Sequence, residues 1–238
     1  MTAVVIGVGP GLGMSIARRF GREGHPVALI SRRDTRHAGY LAELADAGVK
    51  AEAFVANVQD PDRLRSTVDA AVDRLGPVEV VYYGPSSIGP GDFDIPTAPL
   101  DVATSDDIRT AMRYVYPAVD TVQHLLPGML ERGSGTLLFA GGLSAVRPMP
   151  MIGAFAVPSA ALRNYVLTLN ATVADKGVLA ANLIVGGLIA RGDIHDHVLA
   201  NRETFGEIGT LDPDDIAEVA WDLHVKRDRA EEVFSVFD

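Results

Sequence analysis

The chain opens on a hydrophobic run, Ala3-Val4-Val5-Ile6, that ends in Gly7-Val8-Gly9-Pro10-Gly11-Leu12-Gly13 and passes at once into a helix-forming stretch, Leu12–Arg22. A strand, a glycine turn and a helix in immediate succession restrict the fold sharply. Glycines let the backbone turn tightly and let a bulky anion approach without Cβ clashes, while the helix N-terminus offers free N–H groups and a partial positive charge. The turn suits a pyrophosphate, with a turn that holds no ligand as the alternative. It is not a P-loop, because no Gly-Lys-Ser/Thr follows, and the sixth position counted from Gly7 is Leu12 rather than the glycine of Gly-x-Gly-x-x-Gly.

The same alternation continues along the chain. Strands are predicted at Ala3–Ile6, Val27–Ile30, Ala51–Val55, Val78–Tyr83, Gly135–Ala140, Leu179–Val185 and Val233–Val236. Helices are predicted near Leu12–Arg22, Ala38–Ala47, Pro61–Leu75, Ser105–Leu130, Ala154–Lys176 and Pro213–His224. This pattern implies one α/β domain over residues 1–238, a doubly wound parallel sheet of about seven strands with helices on both faces. Gly84–Pro99, rich in Gly and Pro, is expected to line or cover the cleft beyond the fourth strand.

A net charge of -10 argues against nucleic acid or an anionic membrane as the main partner, though not against a phosphate-bearing small ligand. The absence of cysteine excludes disulfides and thiolate chemistry. No basic-then-apolar leader is visible and no run reaches the roughly 18 apolar residues of a membrane span, so a cytoplasmic protein is expected. At the end of the second strand stands Ser31-Arg32-Arg33, where an NAD-specific site would carry an acid for the ribose 2′-hydroxyl. A hydroxyl and guanidinium groups suit a 2′-phosphate, which favours NADP(H) over NAD(H).

The spacing Gly7-x-x-x-Gly11-x-Gly13, with Leu126-Pro127-Gly128-Met129, Gly133-Ser134-Gly135-Thr136-Leu137 and Asn182–Ile189 as further landmarks, resembles the short-chain dehydrogenase/reductase family over nearly the whole chain. The resemblance implies a Rossmann-type fold, a homodimer or homotetramer and a small-molecule substrate; His195-x-His197 with Asp193 and Asp196 is poor spacing for a metal, and none is expected. It assigns the dinucleotide to Gly7, Gly9, Gly11, Leu12, Gly13, Ser31, Arg32, Arg33, Asn57, Val58, Gly84, Leu188 and Ile189.

The resemblance also implies a catalytic Asn, Ser, Tyr and Lys. Carried onto the landmarks, these positions hold residues near Tyr114, Gly142, Phe155 and Ser159. Phenylalanine has no proton to give, serine cannot lower the pKa of a phenol by its charge, and glycine offers an oxyanion no side-chain donor. Replacement donors are Tyr114, Ser144 and Tyr83, with Tyr82, Tyr116, His195 and His197 as further neighbours. Two functions follow: an atypical oxidoreductase acting on a small, largely apolar carbonyl or alcohol, or a non-redox protein such as a sensor, a partner subunit or an enzyme of another reaction.

Overall fold

The computed structural model describes residues 1–85 and 98–237. Its elements run β1 (Thr2–Ile6), α1 (Leu12–Arg22), β2 (Val27–Ser31), α2 (His37–Asp46), β3 (Ala51–Val55), α3 (Pro61–Leu75), β4 (Val78–Tyr83), α4 (Ser105–Met112), α5 (Tyr116–Arg132), β5 (Gly135–Gly142), α6 (Ala156–Val173), β6 (Val178–Gly186), β7 (Leu188–Ile189), α7 (Asp193–Ala200), α8 (Arg202–Phe205), β8 (Thr210–Leu211), α9 (Pro213–Lys226) and β9 (Glu231–Ser235). Most of the expected Gly84–Pro99 loop lies outside the described residues.

The main sheet is parallel throughout, in the order β3-β2-β1-β4-β5-β6-β9. Both faces are covered, because successive side chains of each strand alternate between two cores. On one face Val5, Leu29, Val80, Tyr82, Leu138 and Leu183 pack with Phe20 of α1 and Ile216 of α9. On the other, Ile6, Ile30, Val81, Tyr83 and Phe139 pack with residues of α3, α5 and α6. The strand order reverses direction between β1 and β4, and a crevice outside the strand ends at such a point is where α/β sheets take ligands.

Local chemistry sets the helix ends. Asp60 accepts from Arg63 N at 3.0 Å and Asp212 from Asp214 N at 2.9 Å, each ahead of a proline in the first turn. The single helix expected over Ser105–Leu130 is instead two, α4 and α5, broken at residues 113–115. Pro117 is the cause: it has no N–H for the carbonyl of Arg113 and its ring crowds that group. The freed carbonyl accepts from Gln59 Nε2 at 3.1 Å. Among the described residues no helix is long and apolar enough to cross a membrane.

Opposite the crevice, α9 closes on α1 through a ring cluster. His224 lies 5.2 Å from Trp221, 5.6 Å from Phe20 and 5.8 Å from His25, and its Nδ1 contacts Thr136 Oγ1 at 2.9 Å. Burial pushes the His224 imidazole down to about 4 from an ordinary 6.5. The unfolded chain therefore takes up this proton near pH 6.5, whereas the folded one resists until about pH 4. Stability from this group is complete above pH 6.5 and drains away as the pH falls towards 4. In full the difference would be worth about 3 kcal/mol, and partial solvent contact reduces it to on the order of 1–2 kcal/mol. Urea titrations followed through Trp221, the sole tryptophan, should show wild type losing that much more stability than His224→Gln over this interval. Equal losses would contradict the account.

Candidate dinucleotide and reaction site

The glycine turn joins β1 to α1, and its glycines have different jobs. Gly7 is left-handed (φ +87°), and a Cβ there would stand 2.5 Å from Pro85 N and Cα, so only glycine lets β1 end against the exit of β4. Gly84 completes that contact by donating its N–H to Ile6 O at 3.0 Å. A Cβ on Gly13 would meet Val8 Cα at 2.9 Å, and one on Gly11 would meet Ile189 Cγ2 at 3.0 Å and Ala190 O at 3.1 Å. These three are packing glycines. Gly9 differs: its Cβ would meet nothing within 4 Å. Beside it α1 begins without a capping side chain and without an acid in its first turn. Among the described residues, no acceptor engages the N–H groups of Gly11, Leu12 and Gly13. Open space, unpartnered donors and a helix dipole fit a pyrophosphate.

At the end of β2, Ser31 Oγ lies 2.7 Å from both Arg33 O and the Nε2 of the buried His37. Arg32 and Arg33 are exposed. Arg36 is committed elsewhere, in a two-pronged pair with Asp193 (2.8 and 2.6 Å) that holds its guanidinium well above the usual value. At the end of β3, exposed Asn57 accepts from Gln59 N at 3.1 Å to shape a turn, and half-buried Val58 packs on the core.

Leu188 and Ile189 form β7, which pairs with β8 and so pins the base of the excursion over residues 190–209. Leu188 is buried; Ile189 bears on the glycine turn. Arg191, held at φ +65°, reaches Asp214 at 2.8 Å and Ser15 Oγ at 3.3 Å. Burial works to raise the Asp214 carboxyl, but hydrogen bonds from Ser15, Arg191 and Arg18 outweigh it and hold it at about 2. This clasp ties the excursion to α1 and α9. The Arg191–Ser15 and Asp193–Arg36 contacts carry no signal in the sequence, because each joins residues more than a hundred positions apart and no local pattern marks such pairs.

The positions that the resemblance assigns to catalysis gather at the end of β5. The point where a Cβ on Gly142 would stand is 3.7 Å from Ser144 Oγ and 3.9 Å from Ser159 Oγ. Ser159 donates to Phe155 O at 3.0 Å. The Tyr114 ring, carried on the break between α4 and α5, lies 5.6 Å from the Phe155 ring. Tyr82 and Tyr83 do not join them. Both are 3% exposed, Tyr82 in one core and Tyr83 in the other beside Phe139 at 6.0 Å. Burial pushes both phenols far up, with Asp120 adding to the effect at Tyr83. As a proton donor Tyr83 is thus corrected to a packing residue. The covered sheet explains it, because adjacent residues of a strand point to opposite faces and here both faces are core. Tyr116 is exposed.

His195 and His197 lie on α7. Residues two apart on a helix do not face each other, and His197 packs edge-on to Phe205 at 5.7 Å. Among the described residues no group of three metal-ligating side chains gathers.

A family model described as short chain dehydrogenase matches residues 1–201. A short chain dehydrogenase of Pseudocercospora fijiensis is 29% identical over 194 residues, which cover 79% of this chain and 59% of that protein. The chain therefore spans less than two thirds of that relative's length. An uncharacterized oxidoreductase of Staphylococcus saprophyticus is 24% identical over 224 residues, covering 92% of this chain and 88% of the relative. In structure, an actinorhodin polyketide ketoreductase variant with NADPH superposes with a TM-score of 0.84 at 20% identity, covering 99% and 95% of the two chains. A metagenomic short-chain oxidoreductase in complex with NADP gives 0.77 at 18% identity, covering 100% and 98%. At such identities the structural likeness speaks for the fold. With the glycine turn, the strand order and a family model spanning residues 1–201 in agreement, the chain belongs to the short-chain dehydrogenase/reductase family.

Proposed function

We propose that this protein binds NADP(H) across the β1/β4 crevice and acts as an atypical oxidoreductase on a small, largely apolar carbonyl or alcohol. The observation that carries the reading is the gathering of Ser144, Ser159 and Tyr114 around Gly142 and Phe155, beside a glycine turn whose open point is Gly9. When bound, the nicotinamide supplies the hydride or accepts it. The N–H groups of Gly11, Leu12 and Gly13 hold the pyrophosphate, and Arg32, Arg33 and Ser31 favour the 2′-phosphate. Ser144 offers a carbonyl oxygen a hydroxyl donor where the family's serine is missing, while the Ser159 proton goes to Phe155 O and would have to turn from it to help. Tyr114 holds the proton that the substrate oxygen needs, across the ring face of Phe155. The half-buried Met149, Ile152 and Phe155 would offer a substrate apolar surface.

Two solved relatives in the same fold carry NADPH or NADP, which supports the cofactor assignment. A homodimer or homotetramer is proposed with it: α6 is largely apolar, yet of its side chains only those of Pro158, Val166 and Val173 are buried in the isolated chain. The second reading, a non-redox descendant, is favoured by one feature. Ser159 provides no charge to hold the ribose or acidify a phenol.

Two experiments test the proposal. Gly9→Val places its side chain in open space at an ordinary φ, so the variant should keep wild-type Tm and lose NADPH affinity at least roughly tenfold. Unchanged affinity would remove the ligand from the turn. For chemistry, NADPH oxidation with small ketones should be slow in wild type and fall by about 10²-fold or more in Tyr114→Phe. Combining Gly142→Ser, Phe155→Tyr and Ser159→Lys should raise it by at least as much. Tight NADPH binding with no turnover in any of these proteins would favour the non-redox reading.

A further inference from the structure

We infer that His37 is a positioning residue for cofactor choice: it holds the Ser31 hydroxyl so that its proton is free to turn onto a 2′-phosphate. The inference rests on the proposed NADP(H) site and adds to it a residue with no contact to the ligand.

The argument starts from the single proton of Ser31. Its oxygen lies 2.7 Å from the Arg33 carbonyl and 2.7 Å from His37 Nε2. A carbonyl can only accept, so the hydroxyl donates to Arg33 and the Ser31 oxygen must accept from the imidazole. That assigns the proton of a neutral His37 to Nε2. Burial pushes this imidazole down, against the pull of Asp34, so near neutral pH the donor is a tautomer and not a cation.

His37 is the first residue of α2 and is buried, whereas Arg33 is exposed. This asymmetry makes the arrangement directional. The bond from His37 comes from a buried imidazole that is fixed at the start of α2, so water replaces it less readily and it pins the Ser31 oxygen in place. The bond to Arg33 can be given up cheaply, because water replaces it at an exposed carbonyl. An anion arriving at the end of β2 therefore meets a fixed oxygen with a movable proton. The relay runs from His37 Nε2–H to Ser31 Oγ, and from Ser31 O–H to the phosphate. A ribose 2′-hydroxyl carries no charge and gains much less from that donor.

The test is calorimetric titration of NADPH and NADH into wild type, His37→Leu, His37→Gln, Ser31→Ala and the Ser31→Ala/His37→Leu pair. A hydrogen bond to a charged group is worth about tenfold in affinity or somewhat more. His37→Leu should weaken NADPH by about that factor and NADH by less than about twofold. His37→Gln, which keeps an N–H donor at similar reach, should recover most of the loss. In the Ser31→Ala background His37→Leu should have no further effect on NADPH, because nothing remains to be held. Heteronuclear NMR of the unliganded protein should show the Nε2–H tautomer at His37.

Equal weakening of both cofactors would overturn the inference, as would a full His37→Leu effect persisting without Ser31, or an Nδ1–H tautomer. A wild type that fails to prefer NADPH would bring down the cofactor assignment and this inference with it. A wild type that prefers NADPH, with the preference intact in His37→Leu, would bring down the role of His37 alone. Should His37→Leu fail to fold, wild-type selectivity in His37→Gln with its loss in Ser31→Ala supports the relay; intact selectivity in Ser31→Ala refutes it.

Discussion

Backbone meets backbone where β1 ends. Gly7 turns left-handed against Gly84 and Pro85 with no room for a Cβ, and through that contact the first strand and the fourth leave the sheet side by side. The glycine turn and the start of α1 therefore stand at the point where the strand order reverses. Any larger residue at position 7 would push the turn off the end of β4 and carry the N-terminus of α1 with it. Gly13 and Gly11 hold the turn from its other sides, against Val8 and against the Ile189–Ala190 backbone. What remains is a pocket of donors around Gly9 whose shape is maintained by contacts that involve no ligand.

The same economy governs the excursion over residues 190–209. It is anchored at its base by β7 and β8, and at its start by Arg191 on Ser15 and Asp214 and by Asp193 on Arg36. These ion pairs are partly exposed and individually modest, but together they set one segment against the glycine turn and the end of β2. The proposed reaction site involves the end of β5 and the start of α6, where Ser144 and Ser159 flank the position a Gly142 side chain would take and Tyr114 lies near Phe155.

Much of this was legible in the sequence, and the reasons for the failures are physical. All seven strands of the main sheet were readable, because β-branched runs bounded by turn residues mark buried strands well, and the glycine turn stood out in its strand–turn–helix setting. The break at 113–115 had a sequence signal in Pro117, but an ambiguous one, since Pro127 sits inside α5 without breaking it. Tyr83 was misjudged because a strand covered on both faces hides adjacent residues alike. The Ser144–Ser159 pair around Gly142 and the His37–Ser31 contact could not be seen, for each depends on where a loop places its side chains. Ser31 was singled out for its own chemistry; the imidazole behind it carries no motif.

The central claim is that the unpartnered amides at the start of α1 are held ready for a pyrophosphate. Hydrogen exchange measured at single-residue resolution, with and without saturating NADPH, tests it most directly. The account predicts slowed exchange at Gly9, Gly11, Leu12 and Gly13, with little change across β9 and the far end of α9. Unchanged exchange in the turn under saturating NADPH would contradict it.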